Sequence, residues 1–337
     1  MQYRSVADLN DTILAQLHRL PPDIDLVVGI PRSGLLAANI VSLALNVPLA
    51  DIDGFLAGRL LATGKTRHRE AFDTPIDRFR RVLVIDDSLR SGASLVEARA
   101  KIARSDGRDR YIFCAVYGVE QRHAEADIIL EAVPVPRMFQ WNFMHHKFLE
   151  HCCVDIDGVL CFDPMPEQND DGPHYEHFLG EARQLLIPTK KIGHLVTSRL
   201  ERYREHTEGW LAARGIEYGK LWMLDLPSAE ERRRQGAHGA FKAQVYKSIP
   251  DAMLFIESEE RQAHEIAELA GRPVLSIASH SIVYPGAGVA RFTAFMARQA
   301  RVQRRSVIEF SRRRRFLQLA RRTLGDDLYL KVKNMFS

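Results

Sequence analysis

The 337-residue sequence predicts an α/β protein with two parallel sheets and a basic helical C-terminal tail. Three observations lead there. Short apolar runs alternate with helix-period segments, as parallel strands joined by crossover helices require. The alternation halts at a segment without clear periodicity, MFQWNFMHHKF, and then resumes. The length suits two compact domains, and 46% apolar with 27% charged residues excludes a mainly disordered, collagen-like or coiled-coil chain.

The elements follow in order. Ile13, Leu14, Leu17 and Leu20 form the apolar face of a helix over residues 1–20, capped by Asp8 or Asn10 and ended by Pro21-Pro22. Strands are expected at 26–30, 81–85, 111–117 and 128–130, with helices at 35–45 and 94–103. A second unit opens near His151. Its strands fall at 152–156, 194–197, 221–224, 253–256 and 274–277, its helices near 201–214, 239–248 and 259–270, and a polar loop at 167–172. The expected division is 1–148, 149–285 and a basic extension, 286–337.

Cysteine usage and charge narrow the function. Four cysteines (Cys114, Cys152, Cys153 and Cys161) make no disulfide framework and fit a reducing compartment. Adjacent Cys152-Cys153 lack zinc-ligand spacing despite His145, His146 and His151 nearby, so a strand is the better reading. The stretch from Leu35 to Ala50 is too short and polar to span a bilayer, and no secretory start is visible, so a cytoplasmic location is expected. Residues 301–337 hold eleven Lys/Arg against three Asp/Glu, which leaves the remaining body slightly acidic. That argues against a nucleic-acid groove across the body.

The most informative string is VLVIDDSLRSGAS, Val82 to Ser94. An apolar strand runs into Asp86-Asp87, then a small-residue loop, then a helix. Ligands of parallel sheets bind beyond the carboxyl ends of the strands. The loop Ser88–Ser94 would present backbone N–H groups to an anion, with Gly92 allowing close approach and Ser91 and Ser94 adding hydroxyls. A phosphate in the loop and hydroxyls on the carboxylates together describe a sugar 5-phosphate.

This string resembles the signature of type I phosphoribosyltransferases, which use 5-phosphoribosyl-1-pyrophosphate (PRPP). The resemblance implies that Asp86 and Asp87 hold the ribose hydroxyls, and that Arg90, Ser91, Gly92, Ala93 and Ser94 hold the 5-phosphate. The family usually has Thr where Ser91 and Ser94 stand; the hydroxyl is retained. Gly29–Gly34, with Arg32, Ser33 and Gly34 at a helix start, is similar to the family's pyrophosphate loop. The Gly-containing segment AGRLLATGKTRHR, with Arg59, Lys65, Arg67 and Arg69, lies where the family has its catalytic loop. A cation there would stabilise leaving pyrophosphate, with Lys65 or Arg67 as expected contacts. The family chemistry implies carboxylate stabilisation of positive charge on the ribose, Mg²⁺ on pyrophosphate, and inversion at C1.

Val154-Asp155-Ile156-Asp157-Gly158-Val159-Leu160 is a strand ending in two aspartates spaced by two, which project to the same side. It resembles the first motif of haloacid dehalogenase-like (HAD) phosphatases. The resemblance implies Asp155 as nucleophile on phosphorus, Asp157 as general acid and then base, and Mg²⁺ between the carboxylates and the phosphate. In family order, Thr197 or Ser198 would bind the phosphoryl group, and Lys242, with Lys247 as the alternative, would neutralise it. The metal would take acids from Glu257, Glu259 or Glu260, where the family more often has aspartates. About 40 residues separate Asp157 from Thr197, so any cap is small and the site open to bulky substrates.

In the tail, Val307, Phe310, Leu317, Leu324 and Leu328 recur at helical steps beside the block Arg312–Arg315. The two readings are a docked helix with a solvated basic face, and attachment to an anionic membrane surface. Sparse aromatic interleaving disfavours nucleic acid. The two-domain order is similar to bacterial ribofuranosyltransferases of surface-polysaccharide biosynthesis. It implies transfer of phosphoribose from PRPP to a glycan acceptor, lipid-linked in one version, then removal of the 5-phosphate at the inner face of the membrane. The alternatives are a nucleobase phosphoribosyltransferase fused to a nucleotide phosphatase, and a PRPP-sensing regulator.

Overall fold

The computed structural model describes residues 1–61, 75–105, 109–169 and 171–286. Lys65, Arg67 and Arg69 of the basic loop, and the tail positions from Val307 to Leu328, lie outside the described residues. Residues Met1–Val283 form one compact unit; of the second, Tyr284–Ser337, only 284–286 are described.

The chain starts with β1 (Gln2–Arg4) and α1 (Val6–Gln16). Ser5 caps α1: its hydroxyl accepts from the Asp8 amide, and the Asp8 carboxylate accepts from the Ser5 amide. The cap expected at Asp8 or Asn10 therefore lies earlier, and Asp8 is its reciprocal partner within the first turn. The start is set by β1, whose pairing takes the chain to Ser5 before the apolar periodicity begins. Leu14 is exposed, while Leu9 and Ile13 are the buried face.

Five parallel strands then form the first sheet: β2 (Leu26–Gly29), β3 (Leu49–Asp51), β4 (Val82–Ser88), β5 (Tyr111–Gly118) and β6 (Ile128–Ala132), in the order β3-β2-β4-β5-β6. The connecting helices are α2 (Ser33–Leu45), α3 (Ile52–Leu56) and α4 (Ala93–Ser105). Both faces are apolar because both are covered. Val27, Leu83 and Ile85 pack with Ala37, Ala38 and Val41, whereas Leu26, Val28, Val82 and Val84 pack with Leu95, Ala98 and Ile102. Register pairs Gly29 with Ile85, so the loops after β2 and β4 emerge side by side.

The segment without periodicity contains β7 (Arg137–Phe139), which pairs in parallel with β1, followed by 3-10 turns at 143–145 and 147–151. Tyr3 of β1 and Met138 of β7 are buried in the core of the next sheet. That sheet holds β8 (Cys152–Val154), β9 (Ile192–Leu200), β10 (Tyr218–Leu224), β11 (Leu254–Glu257), β12 (Val274–Ser276) and β13 (Ser281–Val283), in the order β10-β9-β8-β11-β12-β13. All pairs are parallel except the edge strand β13, a departure from the all-parallel expectation. Its helices are α5 (Pro173–Glu181), α6 (Arg204–Ala213), α7 (Ala229–Gln235), α8 (Ala237–Ser248) and α9 (Glu260–Ala270). Helix α5 was not expected; Pro173 opens it, and Tyr175, Phe178 and Leu179 bury its inner face. Strand β8 stops at Val154, two residues early, because the chain turns away to present Asp155.

Two glycines test this packing in opposite senses. A Cβ at Gly193 in β9 would collide with the Glu150 carbonyl, whereas nothing lies within 4 Å of one at Gly209 inside α6. Gly193→Ala should destabilise by ~1–3 kcal/mol, and Gly209→Ala should stabilise by ~0.5–1 kcal/mol. Denaturant unfolding of the two variants beside the parent measures both.

Candidate active sites

The first site lies at the carboxyl ends of β2 and β4. The Ile30 amide donates to the Ile85 carbonyl at 3.0 Å, tying the two loops together. Gly34, at the start of α2, sits directly on the acidic pair: a Cβ there would lie 2.9 Å from Asp86 Oδ1 and 2.9 Å from the Ile85 carbonyl. Arg32 and half-buried Ser33 flank it, with Arg32 exposed. Asp86 and Asp87 are both buried. Asp86 Oδ1 accepts from the Asp87 amide at 2.9 Å, and the Ser94 hydroxyl also bonds Asp86. Asp87 Oδ2 accepts from the Trp141 indole N–H at 2.8 Å. Burial, and then the charge of Asp87, pushes Asp86 up to about 8.

The loop after β4 turns through Gly92, whose φ of +80° favours glycine, and its missing Cβ leaves room for His123 and Glu125. Ser88 is half-buried; Arg90, Ser91, Ala93 and Ser94 are exposed. Buried Arg137 fixes the loop from below, with Nη2 donating to the Leu89 carbonyl at 2.6 Å. An open cleft of about 350 Å³ adjoins the loop, lined in part by Arg90, Glu120, Arg122, His123 and Ile129.

The second site lies at the carboxyl ends of β8, β9 and β11. The Asp155 amide still donates to the Ile256 carbonyl at 3.0 Å, which keeps the residue at the sheet edge. Its Oδ2 accepts from Lys242 Nζ at 2.6 Å. The same ammonium reaches Glu257 Oε2 at 2.8 Å and Gln262 Oε1 at 3.1 Å. Lys242, Asp155 and Glu257 are all buried. Burial pushes Asp155 up to about 8; the Lys242 charge opposes this, while Glu257 and Asp157 reinforce it. Burial also works against charge on Lys242, but its two carboxylates outweigh it and raise its pKa.

Asp157 is bound by Arg199, with Nη2 2.7 Å and Nε 3.1 Å from its oxygens. Burial would raise Asp157, but the charge and hydrogen bonds of Arg199 hold it below the usual carboxylate range. Thr197 is fully buried, its hydroxyl accepting from the Arg199 amide at 3.2 Å; Ser198 is buried beside it. Glu259 is exposed and pairs with Arg261; it also accepts from Gln262, whose Oε1 is bonded to Lys242, and its amide donates to Glu257. Lys247 is exposed on α8, so Lys242 is the lysine at the site. Among the described residues no three His, Cys, Asp or Glu side chains gather as a ready metal cage; the carboxylates here are paired with Lys242 and Arg199.

Sequence reasoning missed Trp141, Arg199 and Gln262. Trp141 sits in the aromatic segment that showed no periodicity; its ring clusters with Phe139 and Tyr117 at 5.0 and 6.4 Å between centroids. Arg199 carried a signal, since it follows Thr197 at the spacing of two that shares one strand face.

Residues 2–133 match the family described as phosphoribosyl transferase domain. That part of the chain is a type I phosphoribosyltransferase domain, α/β with a parallel sheet. A comparison with curated proteins finds no match. Among solved structures, the Helicobacter pylori xanthine-guanine-hypoxanthine phosphoribosyltransferase is similar, at 16% identity over 42% of this chain and 92% of its own, with a TM-score of 0.31. A purine phosphoribosyltransferase from Pyrococcus horikoshii is 17% identical over 42% and 92%, with a TM-score of 0.29. A chain of a Pnkp1/Rnl/Hen1 complex is 15% identical over 75% and 94%, with a TM-score of 0.27. No helix among the described residues is long and apolar enough to cross a membrane.

Trp141→Phe keeps an aromatic ring in the cluster and removes the N–H donor to Asp87. A hydrogen bond to a charged group contributes ~1.5–3 kcal/mol, so the KM for PRPP should rise about tenfold or more, read by pyrophosphate release. A second expectation concerns pH. Asp86 titrates near 8 in the fold against an ordinary 3.8. Between those values the folded chain keeps a proton that the unfolded chain has lost, so this contribution to stability is full below about 4 and declines as pH rises toward 8. Asp86→Asn should therefore flatten the fall of melting temperature between about pH 5 and 8, measured by thermal unfolding of both proteins across that range.

Proposed function

We propose that the chain is a bifunctional enzyme. The phosphoribosyltransferase domain, within residues 1–148, moves 5-phosphoribose from PRPP to a glycan acceptor and releases pyrophosphate. A HAD-like phosphatase, residues 149–285, then removes the 5-phosphate to leave ribofuranose. The observation that carries the second half is the buried bridge of Lys242 between Asp155 and Glu257 at adjacent strand ends. A buried lysine so placed neutralises charge as phosphate reaches the Asp155 carboxylate.

In the first step Asp86 and Asp87 take the ribose hydroxyls, and their negative charge stabilises the cationic ribose as the C1–O bond breaks. The loop from Ser88 through Arg90, Ser91, Gly92, Ala93 and Ser94 takes the 5-phosphate, and Arg32, Ser33 and Gly34 the pyrophosphate. Lys65 and Arg67 of the adjoining basic loop complete the pyrophosphate contacts. Ser94 bonds Asp86 as well, which links phosphate binding to the orientation of the acidic pair.

In the second step Asp155 attacks phosphorus, and Thr197 and Ser198 bind the phosphoryl oxygens. As the phosphorus–oxygen bond to the sugar breaks, Asp157 protonates the departing oxygen; it then takes a proton from the water that hydrolyses the phosphoaspartate, a basic form that Arg199 favours. Asp155, Asp157 and Glu257 offer hard carboxylate oxygens suited to Mg²⁺. Burial pushes Asp155 up to about 8, so a divalent cation would bind there in exchange for its proton. When bound, Mg²⁺ would screen these carboxylates from the phosphate, with Glu259 as a further ligand from the same loop. The basic extension, 286–337, would hold the enzyme on the cytoplasmic side at an anionic membrane surface, beside a lipid-linked glycan.

Product mass tests the reading. With PRPP, Mg²⁺ and a glycan acceptor, Asp155→Asn should accumulate a product still carrying the 5-phosphate; a fully dephosphorylated product would defeat the assignment. Asp87→Asn should abolish transfer while sparing hydrolysis of a small phosphate ester. Pyrophosphate release with a nucleobase and with no glycan would move the acceptor to salvage chemistry.

A further inference from the structure

Two buried polar groups at the second site have no counterpart in the contacts described above. Arg232, on α7, is 7% exposed, and Ser198, near the end of β9, is 8% exposed. Neither the Ser198 hydroxyl nor Arg232 Nε has a hydrogen-bond partner. The guanidinium's other contacts are uncharged: Nη1 donates to the Ser198 carbonyl at 2.8 Å, and the Tyr175 hydroxyl bonds it. Among the described residues no carboxylate pairs with Arg232.

The neighbouring cations differ. Lys242 has Asp155 and Glu257, and Arg199 has Asp157. Removing a guanidinium from water without a counter-charge is costly, so an unpaired one at this depth suits a site completed by an anion. Its position indicates where that anion sits. Tyr175, bonded to Arg232, also feels the charges of Asp157 and Arg199. His238 feels Arg232 and Lys242 together. Ser198 stands between Thr197 and Arg199 in sequence. Arg232 therefore borders the carboxylate site from the β9 side, and its free Nε and the Ser198 hydroxyl are two donors awaiting acceptors.

We propose that Arg232 and Ser198 form a seat for the oxygens of the substrate's phosphoryl group beside Asp155. The inference rests on the phosphatase reading of this site and adds a recognition residue from α7 that no motif supplies. Arginine suits the task because its planar fork of donors matches phosphate oxygens and its charge is permanent. The chain pays for this readiness in stability while no anion is bound.

The test uses the full-length protein with p-nitrophenyl phosphate and Mg²⁺. It reads KM, kcat and the competitive inhibition constant of inorganic phosphate, which reports on this site alone. Arg232→Met should raise KM and the phosphate inhibition constant together, about tenfold or more, with a smaller change in kcat. Its melting temperature should be no lower than the parent's, since an unpaired buried charge has been removed. Arg232→Lys should recover part of the affinity, and Ser198→Ala should raise both constants to a lesser degree; these two carry the test if the Met variant does not fold. Unchanged constants in Arg232→Met and Ser198→Ala overturn the seat while leaving the phosphatase reading intact. Acetate inhibiting as well as phosphate overturns the phosphoryl assignment. A parent protein with no hydrolysis above Asp155→Asn overturns the phosphatase reading itself, and the seat with it.

Discussion

Carboxylates buried at the ends of parallel strands create a charge problem that organises both halves of the molecule. Asp86 and Asp87 end β4, Asp155 follows β8, and Glu257 ends β11, all withdrawn from water. An ionised carboxyl in such a place must find a cation, collect hydrogen bonds or keep its proton. The two sites choose differently. Around Asp86 and Asp87 the partners are an amide, a hydroxyl and an indole, and the pair retains a proton near neutrality. Around Asp155, Asp157 and Glu257 the partners are Lys242 and Arg199, although burial still pushes Asp155 up to about 8.

That difference suits different chemistry. A ribose offers hydroxyl donors and then develops positive charge, so carboxylates that no protein cation bonds directly have something to receive; Arg137 acts on Asp87 through its charge alone. The phosphoryl group proposed for the second site would bring negative charge, and cations are already in place there. The unpaired guanidinium of Arg232 fits the same rule, since it is positive charge supplied ahead of its ligand.

The small ribbon of β1 and β7 links these sites structurally. Tyr3 and Met138 enter the core of the second sheet, while Phe139 and Trp141 cluster with Tyr117 of the first. Trp141 then reaches Asp87. The join between the two sheets is thus part of the first site's support, and a segment that lacked any readable period proves to be packed on both sides.

Most strand positions within each half, the acidic pair with its glycine loop, and the Asp155–Asp157 spacing were legible in the sequence by itself, whereas the sheet orders and the short strands β3, β7 and β13 were not. The legible features are local: a parallel strand buried on both faces is a continuous apolar run, and the residue after it lies at the sheet's carboxyl end. Lys242 was legible as a candidate among two lysines, but its depth was not. Only the tertiary structure decided that Trp141 meets Asp87, that Arg199 binds Asp157, that Ser94 turns to Asp86, and that Arg232 is left without a counter-charge. Each of these joins residues from separate elements, 54 positions apart for Trp141 and Asp87 and 42 for Arg199 and Asp157. Side-chain partnership across such separations is set by how sheets and helices pack, and no periodicity along the chain encodes it.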